Sequence, residues 1–461
     1  MEEVAISGSQ MILGLVIGIA ILLILILKTK VHAFPALIIA AAVTGLIGGM
    51  PPSDVTAAIT AGFGNTLGSI GIIIGFGVMM GAIFEASGAA ERMARTFVKR
   101  LGHGREEIAL AFTGFLVSIP IFCDSGFVIL SPIAKAISRK TKKSVVTLGV
   151  ALAAGLVITH SLVPPTPGPV GVAGIFGIDV GQVILWGLAL ALPMAVATIF
   201  YARWIGQRIY QIPAEEGEGW ERPTGERVID YHSFLKESDA HLPGNLASFA
   251  PIIVPIILIL VQTVTTAMEM NPESTAKVII NFLGTPVIAV GIGLIVAIYG
   301  LTGRQSRKET IHDMEAGIKT AGIIILVTGA GGALGQVLRA SGAGDYIAEV
   351  IAETALPAIL LPFVVASLVR LIQGSGTVAM ITSASITAPI MATLDVNLVF
   401  AALAAMVGSL LFSYFNDSYF WVVNRLLGIT EAKEQIRVWS VTTTIAWGVG
   451  FIELLILNAI F

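Results

Sequence analysis

The chain has 461 residues, of which 55% are apolar and only 12% charged, with a formal net charge of −3. Apolar content this high, gathered into repeated long runs, excludes an ordinary soluble domain and places the chain in the polytopic membrane class. The net charge says little, because the information lies in how charge is distributed; the single cysteine, Cys123, excludes an internal disulfide.

In chain order, the apolar run 11–27 follows Met1-Glu2-Glu3, which offers no basic region of the kind a secretion signal carries, so the run is expected to be the first span. The second, 34–49, stops at Pro51-Pro52, where a missing amide and a fixed φ end a helix. A third covers 67–85. The stretch 92–143 then alternates a basic run, an apolar segment (108–122), a polar knot, a second apolar segment (127–137) and another basic run. Both arms are shorter than the ~20 residues a helix needs to cross a bilayer core. Arg92, Arg95, Lys99, Arg100 and Arg105 flank one side and Lys135, Arg139, Lys140, Lys142 and Lys143 the other, and such clusters favour the cytoplasm. The two arms are therefore expected to form a re-entrant hairpin with Pro120 to Gly126 at its buried tip. Irregular backbone at that depth is tolerated where protein or a wet cavity surrounds it, which is how a solute site looks.

The next apolar run, 145–163, is interrupted by Pro164-Pro165-Thr166-Pro167-Gly168-Pro169 and resumes for a few residues before Asp179, the pattern of a broken span. A span at 183–205 leads to a mixed-charge segment whose charges and turn residues are expected to bury nothing. The second half repeats the plan: spans at 246–266, 282–301 and 320–338, a hairpin with its tip at Gln373-Gly374-Ser375-Gly376, a second broken span, and a closing span at 441–460. Gly81…Ala86-Ser87-Gly88-Ala89 is echoed by Gly335…Ala340-Ser341-Gly342-Ala343, and Ser125-Gly126 by Ser375-Gly376. With the N-terminus outside, all of the 27 Lys and Arg except Lys277, Arg339 and Arg370 fall on the cytoplasmic face. The second hairpin would then be flanked outside by Asp345, Glu349, Glu353 and Asp395.

The expected fold class is thus an all-α polytopic membrane protein built as an inverted repeat. Each half has five spans and one re-entrant helical hairpin, giving ten full spans, two hairpins and about 14 hydrophobic segments. The first transmembrane repeat covers 1–205 (hairpin 108–138, broken span 145–178) and a cytoplasmic linker 206–245. The second, inverted repeat covers 246–461 (hairpin 355–391, broken span 398–427). In such an architecture discontinuous helices meet near the midplane, so the site is expected between both tips and both breaks.

Ionisable groups at membrane depth cost several kcal/mol and are functional candidates by default. Asp124 at the first tip is the expected proton carrier, because burial favours the neutral form of a carboxyl; helix capping is the plainer alternative. His160, before the Pro-rich break, is a second titratable group, weighed against a structural histidine. Arg370, three residues before the second tip, has two natural partners: an anionic substrate, or an internal carboxylate such as Asp124 or Asp417. Asn416, Asp417 and Ser418 in the second break are placed to meet polyol hydroxyls, or to cap a helix. Ser125, Gly126, Thr166, Gly168, Ser375, Gly376 and Thr377 offer hydroxyls and bare amides at helix starts, against the plain alternative of tight packing.

At these residues the chain resembles the gluconate permease (GntP) family of the ion transporter superfamily, over essentially its whole length. The family's hairpin motif, an acidic residue, a small residue and Gly followed by apolar residues and Pro, reads here Cys123-Asp124-Ser125-Gly126-Phe127-Val128-Ile129-Leu130-Ser131-Pro132. Its first break, usually Pro-Pro-His-Pro preceded by a His, is matched by His160 and Pro164-Pro165-Thr166-Pro167, with Thr166 where the second His would stand. Val327 to Gly332, Gln373 to Ala379 and Asn416-Asp417-Ser418 match the second-half motifs. Departures at Cys123, Ser125 and Thr166 fall at the expected site. The resemblance implies proton-coupled symport of gluconate or a related hydroxy acid in a bacterial cytoplasmic membrane, by a homodimer with elevator-like movement of the hairpins. It implies no cofactor beyond the coupling proton, and no nucleic-acid partner.

The alternative from a different class is an inorganic cation/proton antiporter with Asp124 and Asp417 as ligands; Arg370 and the scarcity of deep carboxylates favour an anion. An enzyme is disfavoured, since the chain has no phosphate-binding Gly-Lys-Ser/Thr loop and no metal-spaced His cluster.

Overall fold

Long apolar runs that leave water must satisfy their backbone amides internally, and this chain does so with helices. The computed structural model describes residues 8–29, 31–101, 104–214, 219–223, 242–267, 274–303, 305–341, 357–414 and 417–460. The first half comprises α1 (Gly8–Lys28), α2 (Ala33–Ile47), α3 (Pro52–Ser87), α4 (Ala89–Leu101), α5 (Glu106–Val117), α6 (Cys123–Thr141), α7 (Val145–Leu162), α8 (Pro167–Phe176) and α9 (Val180–Arg208). The second comprises α10 (Asn245–Ala267), α11 (Thr275–Gly284), α12 (Pro286–Leu301), α13 (Arg307–Ala340), α14 (Leu360–Gln373) and α15 (Gly376–Met391). It continues with α16 (Leu398–Gly408), α17 (Ser418–Leu426), α18 (Ala432–Gln435), a π turn at Ile436–Ser440 and α19 (Val441–Ile460).

Each apolar stretch read from the sequence falls on helix, with four differences, one of them the seventh span, which Thr285 and Pro286 divide between α11 and α12 at 67°. The third and eighth spans are the C-terminal parts of much longer helices, α3 with 36 residues and α13 with 34. The basic run at 92–100 is itself a helix, α4, with Met93, Ala94 and Val98 buried and its charges on the other face. The linker does bury something: Gln211 and Ile212 are inside, and a two-stranded ribbon, β1 (Ile212–Pro213) with β2 (Trp220–Glu221), packs on α6. The ribbon is anchored because Trp220 lies against Gly428 and under the Lys135 ammonium, while Arg222 forks onto Glu434 at 2.6 and 2.8 Å.

Among the described residues, four helical stretches are long and apolar enough to cross a membrane: Val145–Phe176, Val180–Arg208, Asn245–Thr266 and Ala432–Ile460. Two bent pairs, Pro52–Gly68 with Gly71–Ser87 (45°) and Thr275–Gly284 with Pro286–Leu301 (67°), raise the number to six. The remaining apolar helices, such as Ala33–Ile47 and Leu398–Gly408, are shorter. Large apolar side chains on α9 to α12, among them Phe200, Ile257, Phe282 and Tyr299, point outward, as expected of surface that meets lipid.

Two groups of helices sort themselves by contact. In one, α1, α2, α3, α10, α12 and α13 pack on each other, with α3 against α13 at the centre; in the other, α5 to α9 pack with α14 to α17 and α19. They meet where α8 touches α3 and α13, and where α15 touches α13. The contact between α3 and the α5–α6 turn is close because position 81 is glycine: a Cβ there would collide with the Pro120 carbonyl.

Candidate functional site

The first tip forms because Pro120 cannot extend α5. The chain turns through 118–121, Phe122 is extended, and α6 starts at Cys123, which puts Asp124 in the first helical turn, where the helix dipole favours a carboxylate. The ends of this segment lie side by side: Lys143 Nζ donates to the Gly104 carbonyl at 3.0 Å and pairs with Glu106 and Glu107 at 2.5 and 2.7 Å, and Arg203 meets Glu107 at 2.7 Å. The first break follows from Pro164 and Pro165, joined by a cis peptide, which supply no amide to continue α7; Pro167 then opens α8. The Thr166 hydroxyl donates to the carbonyls of His160 (3.0 Å) and Val163 (2.7 Å), so it satisfies backbone acceptors that the break would leave unpaired.

The second tip is a tight helix-to-helix turn. Gly374 takes φ +87°, the left-handed region that glycine enters without penalty, and ends α14 by donating to the Arg370 carbonyl; Ser375 then caps α15 by accepting from the Val378 amide at 3.4 Å. In the second break, Asp417 is the N-cap of α17 and accepts from the Tyr419 amide at 3.2 Å. Its other oxygen accepts from the Ser413 hydroxyl and meets Arg370 Nη2 at 2.5 Å. Ser413 is itself fixed, accepting from the Trp439 indole at 2.9 Å and donating its amide to Thr443 Oγ1 at 3.0 Å. Both ion-pair side chains are buried, 6% exposed for Arg370 and 9% for Asp417.

Both tips, the second break and the stretch of α7 that precedes the first break converge on one cavity of about 280 Å³, whereas no residue of the first break itself lines it. Tip 1 contributes Cys123 and Asp124, α7 contributes His160 and Ser161, the second hairpin contributes Arg370, Ser375, Gly376 and Thr377, and the second break contributes Ser409, Asp417, Ser418 and Tyr419. Ser418 donates to Asp124 at 3.2 Å, tying tip 1 to break 2. The His160 ring lies tilted against Phe122, with centroids 5.6 Å apart, and its Nδ1 is buried without a protein partner, as is Arg370 Nε. The cavity therefore holds one guanidinium, two carboxylates, several hydroxyls and the amino ends of α6, α15 and α17. That set can bind a small hydroxylated anion and a proton.

Of the residues singled out from sequence, Asp124, His160, Arg370, Ser375, Gly376, Thr377, Asp417 and Ser418 line this cavity. Four others do not. Gly126 is buried against the Leu156 side chain, Gly168 against Met380, and Thr166 is spent on the break. Ser125 faces the other way, into a second cavity of about 400 Å³ that it shares with Glu85 and Asp313. Asn416 lies outside the described residues. Sequence reasoning passed over Ser161, Ser409, Tyr419 and Thr443, which also line the cavity, and the Ser413 and Trp439 seat of Asp417. Ser161 was within reach as the neighbour of His160; the others are ordinary residues in apolar helices or turns and carry no signal of depth. Among the described residues, no three His, Cys, Asp or Glu side chains are grouped to hold a metal ion.

The family model for GntP family permeases matches residues 10–460. A permease of Haemophilus influenzae is 50% identical, with 98% of this chain and 92% of that one covered. The high-affinity gluconate transporter of Escherichia coli is 34% identical (96% and 98% covered), and that organism's Gnt-II system L-idonate transporter is 32% identical (96% and 98% covered). Among solved structures, the YdaH transporter of Alcanivorax borkumensis superposes with a TM-score of 0.67 at 15% identity over 92% of this chain and 98% of that one, which speaks for the fold alone. The chain belongs to the GntP permease family: it is a multi-pass membrane transport protein, not an enzyme.

Proposed function

We propose that this permease carries gluconate or a closely related sugar-acid anion into a bacterial cell across the cytoplasmic membrane, with a proton as the coupling ion. The observation that carries the proposal is the cavity in which Arg370, the amino ends of α15 and α17, and the hydroxyls of Ser375, Thr377, Ser409 and Ser418 face one another. The cation and helix ends suit a carboxylate and the hydroxyls suit a polyol chain. Relatives named for gluconate and L-idonate transport support that substrate class. Asp124, at a helix start with no cation in contact among the described residues, is the proton carrier, and His160 plays a lesser part. Proton and anion then bind with positive cooperativity, since each lowers the electrostatic cost of the other.

The inverted repeat with ten spans and two re-entrant hairpins is part of the same proposal. It draws support from the meeting of Gly104 with Lys143 at the base of hairpin 1, and from the pairing of α1 with α2 matched by that of α10 with α12. We place the repeats at 1–205 and 246–461. The second helix group moves against the first in an elevator-like cycle, within a homodimer. A cation antiporter, with Asp124 and Asp417 as ligands, is not favoured, because Asp417 is engaged by Arg370.

The test uses Asp124→Asn in proteoliposomes. This variant imitates the protonated carboxyl but cannot release a proton, so counterflow of labelled gluconate should persist while accumulation driven by a pH gradient is lost. Normal gradient-driven accumulation would place the proton elsewhere, and absence of gluconate counterflow in the wild type would discard the substrate.

A further inference from the structure

The Arg370–Asp417 pair raises a question that the transport reading leaves open: the cation needed for an anionic substrate is already occupied. Its two partners are held very differently. Asp417 sits on a rigid seat, capping α17 through the Tyr419 amide and accepting from Ser413, which is locked in turn by Trp439 and Thr443. Arg370 extends from α14 and touches that seat through Nη2, while its buried Nε has no protein partner. Both line the cavity, and the guanidinium lies beside Gly376 at the amino end of α15, where a substrate carboxylate would be drawn.

We infer that Asp417 is an internal stand-in for the substrate carboxylate: it holds Arg370 in the empty carrier and is displaced from the guanidinium when the anion binds. The inference rests on the proposed transport of a sugar-acid anion. Its chemistry is an exchange of contact partners with no bond made or broken. In the empty site, a cation that would otherwise be buried unpaired is neutralised, and such a charge is expensive to carry through a membrane. In the loaded site the substrate carboxylate takes over that pairing, while Asp417 keeps its hydrogen bonds to Ser413 and the Tyr419 amide. The exchange also makes Asp417 a specificity residue. A neutral polyol has hydroxyls for the same walls but no charge with which to open the pair, so it meets a closed guanidinium; rejection of the wrong solute comes from the competing anion as much as from the fit.

The sign of one measurement separates this role from a supporting one. If Asp417 competes with the substrate, removing its charge tightens anion binding; if it merely orients Arg370, removing its charge loosens binding. Equilibrium binding of D-gluconate to the purified protein, with D-glucitol as the neutral competitor, is the assay. Asp417→Asn keeps an oxygen to cap α17 and should bind gluconate about tenfold more tightly than wild type, the scale on which a lost competing charge pair acts, with glucitol unchanged. Asp417→Ser, a second uncharged cap, should move in the same direction and guards against a folding defect in one variant. Equal or weaker gluconate binding by both folded variants would overturn the inference and leave Asp417 as a positioning residue. Arg370→Gln is the control on the underlying reading: if it binds gluconate as wild type does, the anion site is not at Arg370 and both proposals fall.

Discussion

On the proposed reading Arg370 has a part in binding as well as a part in stability, and the two separate by experiment. Truncating one partner of a buried, hydrogen-bonded charge pair leaves the other charge unpaired, so Arg370→Gln should cost stability through Asp417 as well as affinity. Gluconate binding should weaken by ~2–5 kcal/mol, and Arg370→Lys should lose less, because it keeps the charge but not the planar fork. The double variant Arg370→Gln/Asp417→Asn should recover thermal stability towards wild type without recovering binding. Unchanged affinity in folded Arg370→Gln would assign the residue to structure alone. Arg370, Asp124 and Asp417 were legible in the sequence because an ionisable side chain inside an apolar run has few reasons to be there. Ser409, Ser413 and Thr443 were not: a hydroxyl in a buried helix or turn satisfies itself on a nearby backbone acceptor, as Ser409 does on Met406 at 2.6 Å and Thr443 on Ser440 at 3.1 Å, and so needs no cavity to explain it.

At the scale of elements, the short arms around 120–126 and 373–376 and the proline-interrupted run at 164–169 were readable because each is a place where helix formation must stop. What stays hidden is direction and length. Nothing in the composition of 52–66 or 307–319 distinguishes a helix continuing into the membrane from a surface segment, so α3 and α13 were read at about half their extent. Likewise Ser125 and Gly126, one and two residues beyond Asp124, turn away from it because successive helical positions are ~100° apart, so adjacent polar residues at a helix start cannot all face one cavity. The re-entrant course proposed for α5 and α6 can be tested directly. Single cysteines at Arg105 and Arg139, both exposed, in a background with Cys123→Ser should react with a membrane-impermeant maleimide from the cytoplasmic side alone. Labelling of the two positions from opposite faces would make α5 and α6 a crossing segment.

For the whole molecule, the proposed elevator-like cycle needs a static body and a moving one, and the two helix groups are the candidates: a bulky group built around α3 and α13, and a second group carrying every residue of the 280 Å³ cavity. At one contact between the groups Gly81 lets the Pro120 carbonyl pass close to α3. Tip 1 forms a thin wall, with Cys123 and Asp124 on the 280 Å³ cavity proposed for substrate and Phe122 and Ser125 on the neighbouring space shared with Glu85 and Asp313. If the groups move as bodies, fixing that wall to α3 should leave the site intact yet stop the cycle. Ala82 on α3 and Ile121 at the tip both line the 400 Å³ cavity, so cysteines at the two positions, with Cys123→Ser, can be joined by a short bis-maleimide. The cross-linked carrier should bind gluconate as the unlinked double variant does, because neither position faces the substrate cavity, while uptake and counterflow both cease. Full counterflow after complete cross-linking would mean that tip 1 and α3 travel together, and the boundary between moving and static parts would have to be redrawn elsewhere.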